Sequence, residues 1–185
     1  MLFRYTLLGA LASVGDPTWV SKSGNLVTMT SNTTPAPFVA SMKAWSRGSA
    51  YMAFDGNLDN YMYSNNPTAD GDITSTLMFG REIRIAEIQS WIGYGGPVIN
   101  GEAPEGHKSW IGIYGIKADG TEVQLAVNDS GDTHSNPSGS KQTHTVSTTN
   151  QAIPFIGITC HRLFEAYQGW YRLFDVKITK WYEKS

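Results

Sequence analysis

From residue 75 to the C-terminus the chain consists of short apolar stretches divided by turn signals, and that pattern limits the folds open to it. Strand candidates fall at 75–79, 83–91, 109–117, 122–127, 144–147, 153–160 and 171–182, with a shorter one at 25–29. Several alternate apolar with polar residues, as in Ile83-Arg84-Ile85 and Val176-Lys177-Ile178-Thr179, the period-two signature of a half-buried strand. Ala118-Asp119-Gly120-Thr121, between two candidates, is a hairpin turn sequence. The spacing predicts an all-β sandwich or barrel. Two long connections interrupt it: 93–108, rich in glycine and proline, and 128–143, almost wholly polar. Connections of that length in a compact domain are commonly functional or mobile.

Composition agrees with this reading. With 185 residues the chain is sized for one domain with a real core. Charged residues make up only 16% and aromatics reach 12%, which suits a β-domain with a polar but uncharged surface. The net charge is −2 and no Lys/Arg run exists, so the electrostatic footprint of a nucleic-acid binder is missing. Cys160 is the only cysteine, which excludes an intrachain disulfide and a cysteine zinc site; in its apolar run it reads as a small buried filler.

The first residues mimic a secretion signal, but only about a dozen precede the Ala10-x-Ala12 site, against the roughly 15–30 such a signal needs. The stretch is also too short to span a bilayer. Residues 1–20 read instead as an ordered apolar arm, ending at Gly15-Asp16-Pro17 and packing on its own domain or on a partner. The domain division is 1–30, an N-terminal arm and candidate assembly anchor, and 31–185, the β-domain. Residues 28–37 read as extended, because both prolines bias their predecessors away from helix.

No catalytic motif is present: no nucleophile elbow, phosphate loop, dinucleotide fingerprint or H-E-x-x-H. The four histidines lack metal-ligand spacing, and nothing pairs Glu102, Glu105, Asp129 or Asp132 across a cleft as a glycosidase requires. The expectation is a protein that is not an enzyme.

Two sets of residues carry other chemistry. Asp55, Asn57, Asp59 and Asn60 gather oxygen atoms within six residues around Gly56. That suits a hard cation such as calcium, and it equally suits a self-bonded turn that needs no metal. The second set is aromatic. Trp91 and Trp110 belong with strands and the core, whereas Trp45, Tyr94, Tyr167 and Trp170 sit in loop-like surroundings. Their faces can stack on sugar C–H groups while polar neighbours such as Arg47 and His107 bond hydroxyls.

With these residues in view, the chain resembles the discoidin family, also called coagulation-factor type C or galactose-binding-like domains. The resemblance rests on Ala53-Phe54-Asp55-Gly56-Asn57 with its lead from Ala50 and tail to Ser64, on Tyr114 to Leu125, and on Trp170 to Ile178. The tail departs from the family pattern: Asn60 replaces the usual Thr, and Met62 falls where a core Trp sits. Thr30 to Ala40 is similar to the lead-in of such domains in tailed-bacteriophage virion proteins. The resemblance implies a jelly-roll β-sandwich with one structural calcium near Asp55, Asn57 and Asn60. Asp175 stands where the family often places a Glu ligand. Ligands would bind loops at one end, here Trp45, Arg47, Tyr94, His107, Tyr167 and Trp170.

The leading expectation is a non-catalytic carbohydrate-binding component of a bacteriophage virion, on tail or capsid, contacting bacterial surface glycans. The alternative is a structural decoration or adaptor protein that joins other virion subunits through residues 1–20 without binding sugar. A third reading, an accessory domain of a polysaccharide-degrading enzyme, lacks an attached catalytic domain. Homo-oligomerisation and the identity of the sugar are left open.

Overall fold

A computed structural model describes residues 18–43, 45, 47–64, 73–94, 109–129, 142–148, 150–164 and 171–185. Among them are nine strands and one short 3-10 helix, Ala50–Ala53. The strands are β1 (Trp19–Ser23), β2 (Val39–Lys43), β3 (Met62–Ser64), β4 (Thr74–Tyr94), β5 (Ser109–Ile116), β6 (Glu122–Asp129), β7 (Gln142–Ser147), β8 (Pro154–Phe164) and β9 (Tyr171–Lys184). Every pairing is antiparallel, in the order β1-β9-β4-β8-β5-β6, with β2 and β7 also on β4 and β3 on β9. The expected all-β sandwich is the observed fold.

The 21-residue β4 belongs to both layers. Its first part pairs with β2 and β8, and its second with β9 and β7. The corner is Gly80, at φ +68°, where the register against β8 shifts between Met78 and Ile83. A Cβ there would stand 2.6 Å from Pro37 Cβ, so glycine supplies both the left-handed backbone and the close approach. Beyond the corner the strand doubles back. Ser75 Oγ donates to Met62 Sδ at 3.2 Å, Met62 pairs with Leu173, and Leu173 pairs with Ile92. Fully extended, the 17 steps from Ser75 to Ile92 would cover roughly 56 Å at about 3.3 Å per residue. Three neighbour contacts bring them together instead.

Between the layers lies one core. Leu77, Phe79, Ile83, Ile85, Ile88 and Ile92 enter it from β4, Ile111 and Ile113 from β5, and Phe155 and Ile158 from β8. Cys160 belongs to it, 1% exposed, as the small filler the sequence indicates. Burial pushes its thiol well above the ordinary range, and the thiolate is the reactive form. A thiol reagent is therefore expected to leave the native protein unlabelled and to label one site once denaturant unfolds it; native labelling at the unfolded rate would show that Cys160 is accessible.

Some local expectations are corrected. Residues 75–79 and 83–91 form one strand, because Gly80 bends the chain and pairing with β8 resumes at Ile83 after a register shift. The segment 25–29 is not a strand: Gly24, at φ +127°, turns the chain away from β1, and only isolated bonds such as Leu26 N–H to Ile178 O (3.1 Å) follow. Strands β1, β2 and β3 carry little alternation, and the sequence pattern passes over them. Residues 18–30 lie against the sandwich, β1 pairing with Lys180–Lys184 of β9. Both X-Pro bonds in 28–37, at Pro35 and Pro37, are cis. No described helix is long and apolar enough to cross a membrane.

Candidate functional site

Strand register places the attachment points of four connections at one end of the sandwich. Ser64 pairs with Tyr171, which pairs with Tyr94; Ser109 pairs with Phe164; Trp110 pairs with Asp129; Ile92 pairs with Gln142. Segments 65–72, 95–108, 130–141 and 165–170 therefore all begin and end there. The opposite end carries the Gly80 corner, the tight hairpin after Ile116 and the 148–153 connection. In that hairpin Asp119 Oδ1 accepts from Thr121 N–H at 2.9 Å and Lys117 reaches Oδ2 at 3.2 Å, and these bonds lower the Asp119 pKa to about 2.

Of the residues expected at a ligand site, Trp45 lies at the connection end. Its indole N–H donates to Thr74 O at 2.9 Å and its ring packs partly against the core, so its orientation is fixed by the start of β4. Arg47 is exposed nearby in sequence. Tyr94 ends β4 opposite Tyr171, with its side chain outside the described structure. His107, Tyr167 and Trp170 lie outside the described residues, on connections anchored at this end.

Sequence reasoning passed over one pair at the same end. Arg172 sits beside the Tyr171–Tyr94 pairing, and its guanidinium carbon is 4.5 Å from the centre of the Tyr61 ring. Tyr61 in turn meets Phe174 edge-on at 5.5 Å. Arg172 Nε is buried without a hydrogen-bond partner. A guanidinium stacked on a ring is suited to bonding a hydroxyl or carboxylate through its terminal N–H groups. The only signal was the Trp-Tyr-Arg run, which reads first as strand.

The Asp-Gly-Asn segment folds as a self-bonded turn. Asn57 N–H donates to Asp55 Oδ1 at 2.8 Å and Asp59 N–H to Asn57 Oδ1 at 2.9 Å, while Asn60 Nδ2 donates to Asp55 Oδ2 at 2.7 Å. Gly56, at φ +73°, makes the turn. Phe54, 1% exposed, and Met62, fully buried, root it in the core. Met62 thus fills an interior position, as expected for the site of a core Trp.

Asp175 lies beneath the turn, fully buried; its Oδ1 accepts from Gly56 N–H at 3.3 Å. Lys177 Nζ is 3.4 Å from Oδ2 and 4.8 Å from the centre of the Trp91 ring. Burial lifts the Asp175 pKa to about 6, the Asp55 charge adding to the rise and the Lys177 and Gly56 contacts opposing it. Its negative charge is therefore incompletely compensated. Two buried oxygens here, Asn60 Oδ1 and Asp175 Oδ2, have no hydrogen-bond partner. Hard oxygen donors and an under-compensated carboxylate fit a calcium-type ion. Among the described residues no three His, Cys, Asp or Glu side chains converge, so amide and backbone oxygens would have to complete its shell.

Nothing described assembles a catalytic group. The His161–Glu122 pair (2.8 Å) is a surface contact, with Tyr114 packed edge-on against the imidazole at 4.9 Å.

No family model matches the sequence, and no curated protein matches it either. Solved structures define the fold as a discoidin-like β-sandwich. The chain is similar to the F5/8 type C domain of a Bacteroides fragilis protein at TM-score 0.53 and 11% identity, covering 84% of this chain and 97% of that one. It is also similar to CBM32 of AlyQ, solved in complex with 4,5-unsaturated mannuronic acid, at TM-score 0.52 and 15% identity over 76% and 92%. A third likeness is CBM32-1 from a family 31 glycoside hydrolase of Clostridium perfringens, at TM-score 0.52 and 13% identity over 78% and 95%.

Proposed function

We propose that this chain is a non-catalytic carbohydrate-binding domain that reads a bacterial surface glycan at the connection end, as a component of a bacteriophage virion. The observation that carries the proposal is the convergence of four connections on the end that holds Trp45, Tyr61 and Arg172. Fixed aromatic faces beside a directional donor are what a hydroxylated ring needs. Solved neighbours of this fold include carbohydrate-binding modules, which supports the same reading. The virion assignment rests on the likeness of Thr30 to Ala40 to phage domains and on the apolar residues 1–17. A calcium ion held by Asp55, Asn57, Asn60 and Asp175 would brace the turn under this end and supply charge compensation without touching the sugar.

The test is a bacterial glycan array probed with the full chain. Binding should be selective, and should fall at least about tenfold in Arg172→Ala and in Trp170→Ala while the thermal midpoint stays near the parent's. A flat array, or variants that bind like the parent, would end the proposal.

An adaptor role is favoured by one further observation: β1 enters the sandwich at the end away from the connections, so an anchor there leaves the glycan face clear. Removing residues 1–17, which spares β1, should abolish incorporation into particles and leave the domain folded. Normal incorporation of the shortened chain would rule this role out.

A further inference from the structure

Away from the connection end, Trp19, Arg84, Gln151, Ala152 and Tyr182 line a cavity of about 310 Å³. That lies at the lower edge of small-molecule sites, about 300–1,000 Å³, and suits one ring-sized ligand. Its parts come from three places: Trp19 from β1, Arg84 and Tyr182 as direct partners across β4 and β9, and residues 151–152 from the connection before β8.

Arg84 gives the cavity its chemistry. Its guanidinium carbon lies 4.2 Å from the centre of the Trp19 ring, and its Nε is buried with no hydrogen-bond partner. The nearby acids are committed elsewhere: Glu183 to Arg81 at 2.7 Å and to the Trp181 indole N–H at 2.8 Å, and Glu82 to Lys184. Lys184 Nζ also stands 5.6 Å from the Trp19 ring, its charge paired with Glu82. A guanidinium held flat by an indole offers its terminal N–H groups as a pre-oriented fork for a planar anion, while its enclosed Nε–H has no acceptor to offset the charge. Gln151 frames the other side. Its Nε2 donates to Thr148 O (3.2 Å) and Ala86 O (3.4 Å), which fixes the amide plane and leaves its side-chain oxygen as an acceptor for a hydroxyl.

We infer that this cavity is a second ligand site, separate from the connection end, and that it takes a single carboxylate-bearing sugar ring. The carboxylate meets Arg84, and ring hydroxyls meet the amide of Gln151. The inference stands whether or not the connection end binds glycans.

The experiment titrates the full chain with D-glucuronate and D-galacturonate, and with glucose and galactose as neutral counterparts, following indole N–H and arginine Nε–H resonances by NMR. A uronate should shift the Trp19 and Arg84 signals, and the neutral sugars should not. Arg84→Gln should weaken binding at least about tenfold, and added salt should weaken it in the parent. Ala152→Asp, an exposed change on the rim that leaves the sheet untouched, should abolish binding by occupying Arg84. Equal response to neutral sugars, or uronate binding that survives both Arg84→Gln and Ala152→Asp, would overturn the inference.

Discussion

Replacing Gly115 with alanine is expected to lower the thermal midpoint by roughly 5–10 °C, although it adds one methyl group to a strand. A Cβ at this position would stand 2.4 Å from Phe155 Cδ1 and 2.5 Å from Cε1. The Phe155 ring is fully buried and enclosed by the single core, so it cannot swing aside. Overpacking of this kind costs about 1–3 kcal/mol, and a clash this short belongs at the upper end. In a chain of this size each kcal/mol moves the midpoint by about 2–4 °C. The mechanism can be separated from a generic strand effect with a double-mutant cycle. Phe155→Leu alone should destabilise, by a few kcal/mol at most, through lost volume. In that background Gly115→Ala should cost much less, since the missing ring edge leaves room for the methyl. If the alanine costs the same in both backgrounds, the contact with Phe155 is not the cause.

The same contact shows what the amino-acid sequence alone makes legible. Alternation at Ile83–Ile85 and the Asp119-Gly120 hairpin gave the strands and one turn, because they are local signals. The pairing of Gly115 with a ring forty residues away is not local, and nothing in the sequence marks it. The Gly80 corner was hidden for a related reason. A glycine between two apolar runs looks like a stop, and only its contact with Pro37 and the pairing with β8 that resumes at Ile83 show it to be a bend. Strands β1 and β2 were missed because short strands with few buried residues carry little period-two pattern. At the site, Asp55 and Asn60 were legible as an oxygen-rich turn, and their self-bonding is seen directly. Arg84 and Arg172 were not legible. Their interest comes from what stacks beneath them and from the acceptor each lacks, which are properties of the packed molecule.

Chelation is expected to lower the thermal midpoint by several degrees at pH 7.5 and by clearly less at pH 5, because Asp175 changes protonation between the two. Its pKa stands at about 6 in the folded protein against 3.8 for the free side chain, raised chiefly by burial. Between those values the folded state keeps a proton that the unfolded state has lost. The unfolded state therefore binds fewer protons there, and in chelator the Asp175 contribution to stability falls as pH rises from about 4 through about 6. Above that range the buried carboxylate is charged, with only Lys177 as a partial counter-ion at 3.4 Å. A calcium-type ion bound to the folded state stabilises it by mass action, and it competes with the proton for the same oxygens. Its benefit should therefore appear as the proton leaves. Removing the internal cation sharpens the test: Lys177→Met should destabilise the chelated protein further and enlarge the gain on adding calcium. A midpoint indifferent to chelator at pH 7.5 in both parent and variant, with no metal found by elemental analysis, would mean that Lys177 and the self-bonded turn hold this corner alone.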